Sequence, residues 1–244
     1  PDQSFSYIAA LRPAIAFIVD IRRDNLLQHL WFRALFETAP SRLDYLCLMV
    51  VRQCGGGSDG LAAAALVARV DAAALRLDRA AAIEAVVRRA ASFGVPLDSS
   101  DLATIRGIHG RFAEAGLDLR FNTHGRAPRP YYPTLRRLIL ERDRGGRHAS
   151  YLAAEPPFAV VRSLQRAGRV VPVVGDLAGS HALRAIGGLL RERDLTVAVP
   201  RSEELVAEAS GISSPPPVHW GIIDRARWGE FPAELPTIHR CGKQ

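Results

Sequence analysis

Two short apolar runs, each ending in an aspartate, limit most strongly what this chain can fold into. Residues 15–20 read IAFIVD, and residues 169–176 read RVVPVVGD. Both runs are rich in β-branched residues and carry no charge between their ends. Strands that are apolar on both faces are typical of parallel sheets, which helices cover on both sides. The two runs therefore predict two buried strands of an α/β fold.

Apolar residues at helical spacing fill much of the rest of the chain. The pattern predicts helices over about 24–38, 42–53, 60–92, 98–115, 134–142, 156–167 and 181–193. A third strand is expected over 195–199. Alternation of strands and helices at both ends predicts a partial Rossmann-like parallel sheet with a large helical insertion. The predicted division is a core of 1–40 and 150–200, an insertion of 41–149, and an irregular tail of 201–244.

Composition excludes several classes of protein. Hydrophobic residues make up 48% of the 244 residues, which is too many for a disordered chain. No run of about eighteen uncharged apolar residues occurs, so no membrane-spanning segment is expected. The three cysteines (Cys47, Cys54 and Cys241) are odd in number and widely spaced, which predicts no disulfide framework and favours a reducing, cytoplasmic setting. Neither the cysteines nor the seven histidines have the spacing of a metal site.

The two aspartates that end the strands are the main candidates for function. Ligands of open parallel sheets bind beyond the carboxyl ends of the strands, so Asp20 and Asp176 are expected to face one crevice. One such acid can accept hydrogen bonds from ribose hydroxyls, and the other from the adenine amine. Arg22 follows Asp20 closely enough to face the same crevice. The alternative for all three side chains is ordinary helix capping and surface charge.

Nucleotide sites of this kind also need a glycine-rich turn after the first strand, where the backbone approaches the ligand. No G-x-G-x-x-G sequence occurs in the chain, and the Gly55–Gly57 run follows a predicted helix, which indicates a plain turn. We expect the ligand-binding turn to lie upstream of Pro1, in a larger domain.

Two segments resemble an uncharacterised bacterial family with a class I methyltransferase-like, Rossmann-type fold. They are AFIVDIRRDNLLQHL (16–30) and SYLAAEPPFAVVRSLQRAGRVVPVVGDLAGSHALRAIG (150–187). The resemblance extends over 1–50 and 150–197, is looser over 92–150, and ends where PRSEELVAEASG replaces the family's next strand end. It implies an S-adenosylmethionine cofactor, with Asp20 as the ribose-binding acid and Asp176 as the adenine-side acid. It also implies that Gly175 and Leu177 line the adenine slot through their backbone.

Two other functions remain open from the residues alone. Only Lys243 among the 32 basic residues is a lysine, and eight arginines against two acids lie between 120 and 148. This stretch could make the protein a non-enzymatic binding module for nucleic acid or another polyanion, or it could be a solvated surface. The eight residues are Arg120, Arg126, Arg129, Arg136, Arg137, Arg142, Arg144 and Arg147. A nicotinamide-dependent oxidoreductase is the third hypothesis, because Asp20 suits either cofactor.

Two further side chains carry weaker interpretations. Glu155 lies just before the helix that is predicted to precede the second strand. It could orient a substrate or act as a base, or it could serve only as an acid at a helix N-terminus. We interpret His29 as a residue of a helix face without a ligand.

Overall fold

The computed structural model describes residues 3–55, 57, 60–120, 132–176, 180–192 and 220–223. In these residues the chain is a mixed α/β protein that is mostly helical and has a small sheet. The helices are α1 (Gln3–Leu11), α2 (Arg23–Thr38), α3 (Arg42–Met49), α4 (Ala63–Ala72), α5 (Arg79–Ala91), α6 (Ser99–Ala115), α7 (Leu135–Leu140), α8 (Glu155–Arg166) and α9 (Ser180–Glu192). The strands are β1 (Ile15–Asp20), β2 (Arg52–Gln53), β3 (Ala74–Leu75), β4 (Val170–Val174) and β5 (Trp220–Ile223).

The two predicted buried strands are confirmed as β1 and β4, and they pair in parallel with Asp20 opposite Val174. On its other side β1 pairs antiparallel with β5, so the strand order is β4-β1-β5. Strand β5 lies within the predicted tail of 201–244. The strand predicted over 195–199 lies outside the described residues.

Helices cover both faces of the parallel pair. Ala16 and Ile18 of β1 belong to the main hydrophobic core. The alternate residues Ile15 and Phe17 pack instead against Ile186 and other side chains of α9. This two-sided burial explains why the strand sequence is apolar throughout, since each face of the pair meets a helix layer.

The main core is continuous across the predicted helical insertion. Helix α1 packs against α8, while α2 packs against α5, α6 and α8. The buried residues of α3 to α7 join the same cluster as those of α1 and β1. The insertion therefore shares one hydrophobic core with the strand-bearing segments. No helix in the described part of the chain is both long and apolar enough to cross a membrane.

Most helix positions agree with the sequence pattern, but 60–92 does not form one helix. Strand β3 interrupts it and pairs with β2, a pairing that Arg52 reinforces by donating to the carbonyls of Asp71 and Ala73 at 3.1 and 2.6 Å. Long-range pairing overrides the helix propensity of this Ala-rich segment. Helix α6 begins after Asp98, which forms a reciprocal capping box with Asp101.

The expectation of unpaired cysteines is wrong, because Cys47 and Cys54 form a disulfide whose Cα atoms are 6.0 Å apart. Helix α3 ends at Met49, and Val51 then adopts a φ of 54°, a left-handed conformation that is rare for a β-branched residue. This reversal brings the segment after β2 back onto the last turn of α3. Spacing along the chain does not reveal such a turn, so the pairing was not foreseen.

Candidate ligand-binding site

The carboxyl ends of β1 and β4 bring the two predicted acids to one edge of the sheet. The backbone N–H of Gly175 donates to the carbonyl of Asp20 at 2.9 Å, which extends the ladder to the last residue before Asp176. Asp176 is exposed at this edge. We call this region the strand edge: Asp20, Ile21, Arg22, Val174, Gly175 and Asp176.

The carboxylate of Asp20 organises the turn from β1 into α2. Its Oδ1 accepts from the backbone N–H and the Nε of Arg22 at 2.8 and 3.0 Å. Its Oδ2 accepts from Nη2 of Arg22 at 2.9 Å and from Nδ2 of Asn25 at 2.7 Å. Two carboxylate oxygens offer about four acceptor positions, so these bonds fill them. A ligand hydroxyl can bind Asp20 only by replacing one of them.

Electrostatics hold Asp20 in its charged form. Partial burial alone would raise the pKa of this carboxyl, but the hydrogen bonds from Arg22 and Asn25 outweigh burial and lower the pKa to about 2. The side chain of Arg22 remains 51% exposed beside it. The strand edge therefore presents a permanent anion paired to a cation that is open to solvent.

Two apolar side chains are exposed next to these charges. Ile21 is 71% exposed and Val174 is 43% exposed. Val174 lies opposite Asp20 in the parallel register, so the two side chains lie on the same face of the pair. Exposed apolar surface beside a few polar groups is the usual lining of a small-molecule site.

Gly175 allows helix α9 to approach the strand edge closely. A β-carbon at Gly175 would lie 2.7 Å from the β-carbon of Ala182, which is closer than side chains can pack. The resemblance implies that Gly175 lines a ligand slot through its backbone. The structure shows that the packing of α9 against this residue also requires glycine here. Leu177, the other predicted backbone contact, lies outside the described residues.

A second arginine ties the strand edge to the helical insertion. Arg23 donates from Nε and Nη2 to the carboxylate of Asp101 at 2.8 and 2.5 Å, and from Nη2 to the Pro96 carbonyl at 3.0 Å. Helix α2 has Arg22 at its N-cap position and no side-chain cap, and the Asn25 side chain bonds to Asp20. The start of α2 is thus held by β1 through Asn25 and by the helical insertion through Arg23.

His29, which the sequence assigns to a helix face, is a buried residue of α2. It lies one turn after Asn25 on α2, is 2% exposed, and packs edge-on against Phe5 with ring centroids 5.7 Å apart. Neither ring nitrogen has a hydrogen-bond partner among the described residues, and burial lowers the pKa of His29 to about 3. The imidazole is therefore neutral near pH 7. The apolar spacing of α2 accounts for the buried position of His29. No sequence pattern indicates that its ring nitrogens lack hydrogen-bond partners among the described residues.

Glu155 belongs to a buried junction rather than to the strand edge. Its Oε2 lies 3.3 Å from Nε of Arg42, whose side chain is 1% exposed. Nη1 of Arg42 donates to the carbonyls of Leu152 and Ala153 at 2.9 and 3.0 Å, and Nη2 donates to the carbonyl of Leu61. We call these five residues the Arg42 junction. It links α3, the start of α4 and the start of α8.

The arginine-rich stretch is partly committed to intramolecular ion pairs. Arg136 lies between two carboxylates, donating to Asp71 at 2.5 and 3.0 Å and to Asp118 at 2.8 and 3.0 Å. Arg147 bonds to Asp143 at 3.2 Å. Arg126 and Arg129 lie outside the described residues. A phosphate would have to compete with carboxylates for Arg136, so the polyanion hypothesis loses one of its central side chains and otherwise stays a prediction.

Comparisons with known proteins add one match. The model of a domain of unknown function, DUF7790, matches residues 103–200, which is under half of the chain. The matched part includes α8, β4 and the strand-edge residues Val174, Gly175 and Asp176. No curated protein and no solved structure matches the chain. In the described residues, no three His, Cys, Asp or Glu side chains gather into a metal-binding group.

Proposed function

We propose that the strand edge binds S-adenosylmethionine and that the protein is a methyltransferase-like protein with a Rossmann-type core. The observation that carries the proposal is the parallel pairing of β1 with β4, which brings Asp20 and Asp176 to one edge of the sheet. In open α/β sheets this edge is where nucleoside ligands bind. When bound, the cofactor supplies an electrophilic methyl group, and the chain's part is to hold and orient it.

The residues fit an adenosine group if the Arg22 side chain moves away from the Asp20 carboxylate. Asp20 has its acceptor positions filled, so two ribose hydroxyls must take the place of the Arg22 side chain. The cost of that exchange is small, because an ion pair with a half-exposed arginine contributes only about 0–1 kcal/mol. The hydrogen bond from Asn25 can remain and keep the carboxylate oriented. Exposed Ile21 and Val174 offer apolar contact for the adenine ring.

Calorimetric titration with S-adenosylmethionine and S-adenosylhomocysteine tests the proposal. Asp20→Ala should weaken binding about tenfold or more, since hydrogen bonds to a charged group are worth about 1.5–3 kcal/mol. Arg22→Ala should leave affinity unchanged or improve it, because it frees the acceptor positions of Asp20. A matched control is Glu84→Gln, which removes a carboxylate bonded by Arg106 on α6, outside the strand edge. Absence of heat with both ligands at millimolar concentration contradicts the proposal.

Arg22 also favours a second candidate, a phosphorylated nicotinamide dinucleotide. An arginine beside the ribose-binding position is the group that accommodates a 2′-phosphate in dinucleotide-binding folds. On this hypothesis Arg22 is a ligand contact, so Arg22→Ala weakens binding of the phosphorylated dinucleotide about tenfold and leaves the unphosphorylated form unaffected. The opposite effects expected of one substitution separate the two cofactors. Tight binding of either dinucleotide without binding of S-adenosylmethionine selects this candidate.

A further inference from the structure

The disulfide between Cys47 and Cys54 joins two sulfurs in very different surroundings. Cys47 lies in the last turn of α3, is 3% exposed and belongs to the main hydrophobic core. Cys54 follows β2, is partly exposed and only borders that core. Thiol–disulfide exchange requires an incoming thiolate to reach the sulfur that it attacks. Of the two sulfurs, Cys54 is the accessible one.

The space beside Cys54 is open. Among the described residues, a β-carbon at Gly55 or Gly57 would meet no atom within 4 Å, so the described side chains leave room there. The β2–β3 pairing holds the residues that precede Cys54. A group attached to Cys54 can therefore extend over these glycines, whereas a group on Cys47 would have to enter the core.

Two guanidinium groups flank the same place. Nη2 of Arg69 donates to the carbonyl of Gly55 at 2.7 Å, directly after Cys54. Arg52, two residues before Cys54, donates only to backbone carbonyls among its described contacts. Neither arginine pairs with a carboxylate in the part of the chain that the structure describes. These two guanidinium groups favour the approach of an anionic thiol.

We propose that Cys54 is a thiol-exchange site for anionic low-molecular-weight thiols such as glutathione, and that Cys47 is its resolving cysteine. In the oxidising direction the Cys54 thiolate attacks one sulfur of glutathione disulfide. This forms a mixed disulfide and releases one glutathione thiolate. The Cys47 thiolate then attacks the Cys54 sulfur, forms the intramolecular bond and releases the second glutathione.

The electrons balance over the two steps. The protein loses two electrons and two protons, and glutathione disulfide gains them as two thiols. Reduction runs the same steps backwards: a glutathione thiolate attacks the accessible Cys54 sulfur and Cys47 leaves as the buried thiol. The inference is independent of the ligand at the strand edge.

Peptide mapping after acid quench and alkylation tests the assignment in a Cys241→Ser background. Reduced Cys47→Ser protein, treated with glutathione disulfide, should retain one glutathione on Cys54. Reduced Cys54→Ser protein should react at Cys47 at least about tenfold more slowly, because the thiol is buried. Equal rates in the two variants, or faster reaction at Cys47, overturn the proposal. Circular dichroism confirms that each variant is folded before its rate is compared.

Two further measurements keep the assignment open to refutation if a variant unfolds. In the Cys241→Ser parent with both Cys47 and Cys54 present, quenching at early times should capture glutathione on Cys54 and not on Cys47. Arg69→Gln should slow exchange with glutathione disulfide about two- to fivefold and leave exchange with uncharged hydroxyethyl disulfide unchanged. Exposed Arg88→Gln on α5 is the charge-matched control. A pair that stays reduced at every glutathione ratio contradicts the proposal.

Discussion

The strand edge and the Arg42 junction both pair an arginine with a carboxylate, yet they differ in burial. At the strand edge Arg22 is 51% exposed and bonds to Asp20 through two guanidinium nitrogens. At the junction Arg42 is 1% exposed, pairs with Glu155 and donates to three backbone carbonyls. The guanidinium is thus open to solvent in one region and buried in the other, while both carboxylates are partly exposed, Asp20 at 22% and Glu155 at 31%.

This difference decides which pair can exchange its partner. Water competes for an exposed guanidinium, so breaking the Asp20–Arg22 pair costs little. A buried guanidinium has no such substitute, and removing it leaves its partners unpaired in a low-dielectric interior. The strand edge is therefore suited to releasing Arg22 for a ligand, while the junction is suited to holding three helices in place. The following predictions test this contrast.

Arg42→Met should produce the largest loss of stability. The substitution leaves the carbonyls of Leu61, Leu152 and Ala153 without their guanidinium donor and removes the ion-pair partner of Glu155, whose side chain is 31% exposed. Leaving a buried hydrogen-bonding group unsatisfied costs about 1–3 kcal/mol, so three such carbonyls predict a loss of about 3 kcal/mol or more. The free energy of unfolding from urea titration measures it. The matched substitution Arg22→Met should cost less than about 1 kcal/mol. Equal losses at the two sites would mean that exposure does not distinguish them.

Gly175→Ala should have the next largest effect. Its new β-carbon would meet Ala182 at 2.7 Å, so α9 must move away from the strand edge. Overpacking of this kind costs about 1–3 kcal/mol. Gly188→Ala in the same helix meets nothing within 4 Å and should be neutral or stabilising. Adding Ala182→Gly to Gly175→Ala should restore part of the loss; no restoration would show that the clash is not with this side chain.

Strands β1 and β4 and most helices could be predicted because their signals are local. An apolar run bounded by polar residues identifies β1 and β4, and the capping residues Asp98 and Asp101 mark the start of α6. Strand β3 was not predicted, because its Ala-Leu sequence is that of a helix and only its pairing with β2 makes it extended. The disulfide was missed for the same reason: it depends on the reversal at Val51.

The placement of the two acids at one edge was predictable, but the contacts of Asp20 were not. A topological rule brings the ends of adjacent parallel strands together, so Asp20 and Asp176 could be assigned to one edge from sequence alone. No such rule specifies that Arg22 and Asn25 fill the acceptor positions of Asp20, because that depends on side-chain geometry within the turn. The role of Arg42 had no signal either, since arginine is seldom fully buried.

The buried His29 should make the stability of the folded protein depend on pH. In the folded protein burial lowers the pKa of His29 to about 3, whereas the unfolded chain has an ordinary value of about 6.5. Between these values the unfolded state binds more protons, so stability is complete above pH 6.5 and falls as pH decreases. Between pH 6.5 and 5 the expected loss is about 1.5 kcal/mol.

His29→Phe should remove this contribution and flatten the pH profile of the free energy of unfolding. His109, whose pKa burial lowers to about 4, remains in the variant and gives a residual slope. The additional variant His109→Phe isolates that second slope. An unchanged profile in His29→Phe would show that the imidazole is not buried in its neutral form.

Asp20→Asn should have the smallest effect of these substitutions on the free energy of unfolding. Burial opposes the charged form of Asp20, but Arg22 and Asn25 lower its pKa to about 2 in the folded protein, below the unfolded value of about 3.9. Its stabilising contribution is therefore present above pH 4 and is lost as pH falls toward 2. Because its partner Arg22 is half exposed, solvent screening limits the contribution to less than about 1 kcal/mol at pH 7, and added salt reduces it further. Urea titrations of the wild-type protein and the variant at pH 7 and at low and high salt measure both effects. A loss of several kcal/mol that salt does not change would place Asp20 with Arg42 among the structural groups, and it would remove the physical reason for expecting Arg22 to yield to a ligand.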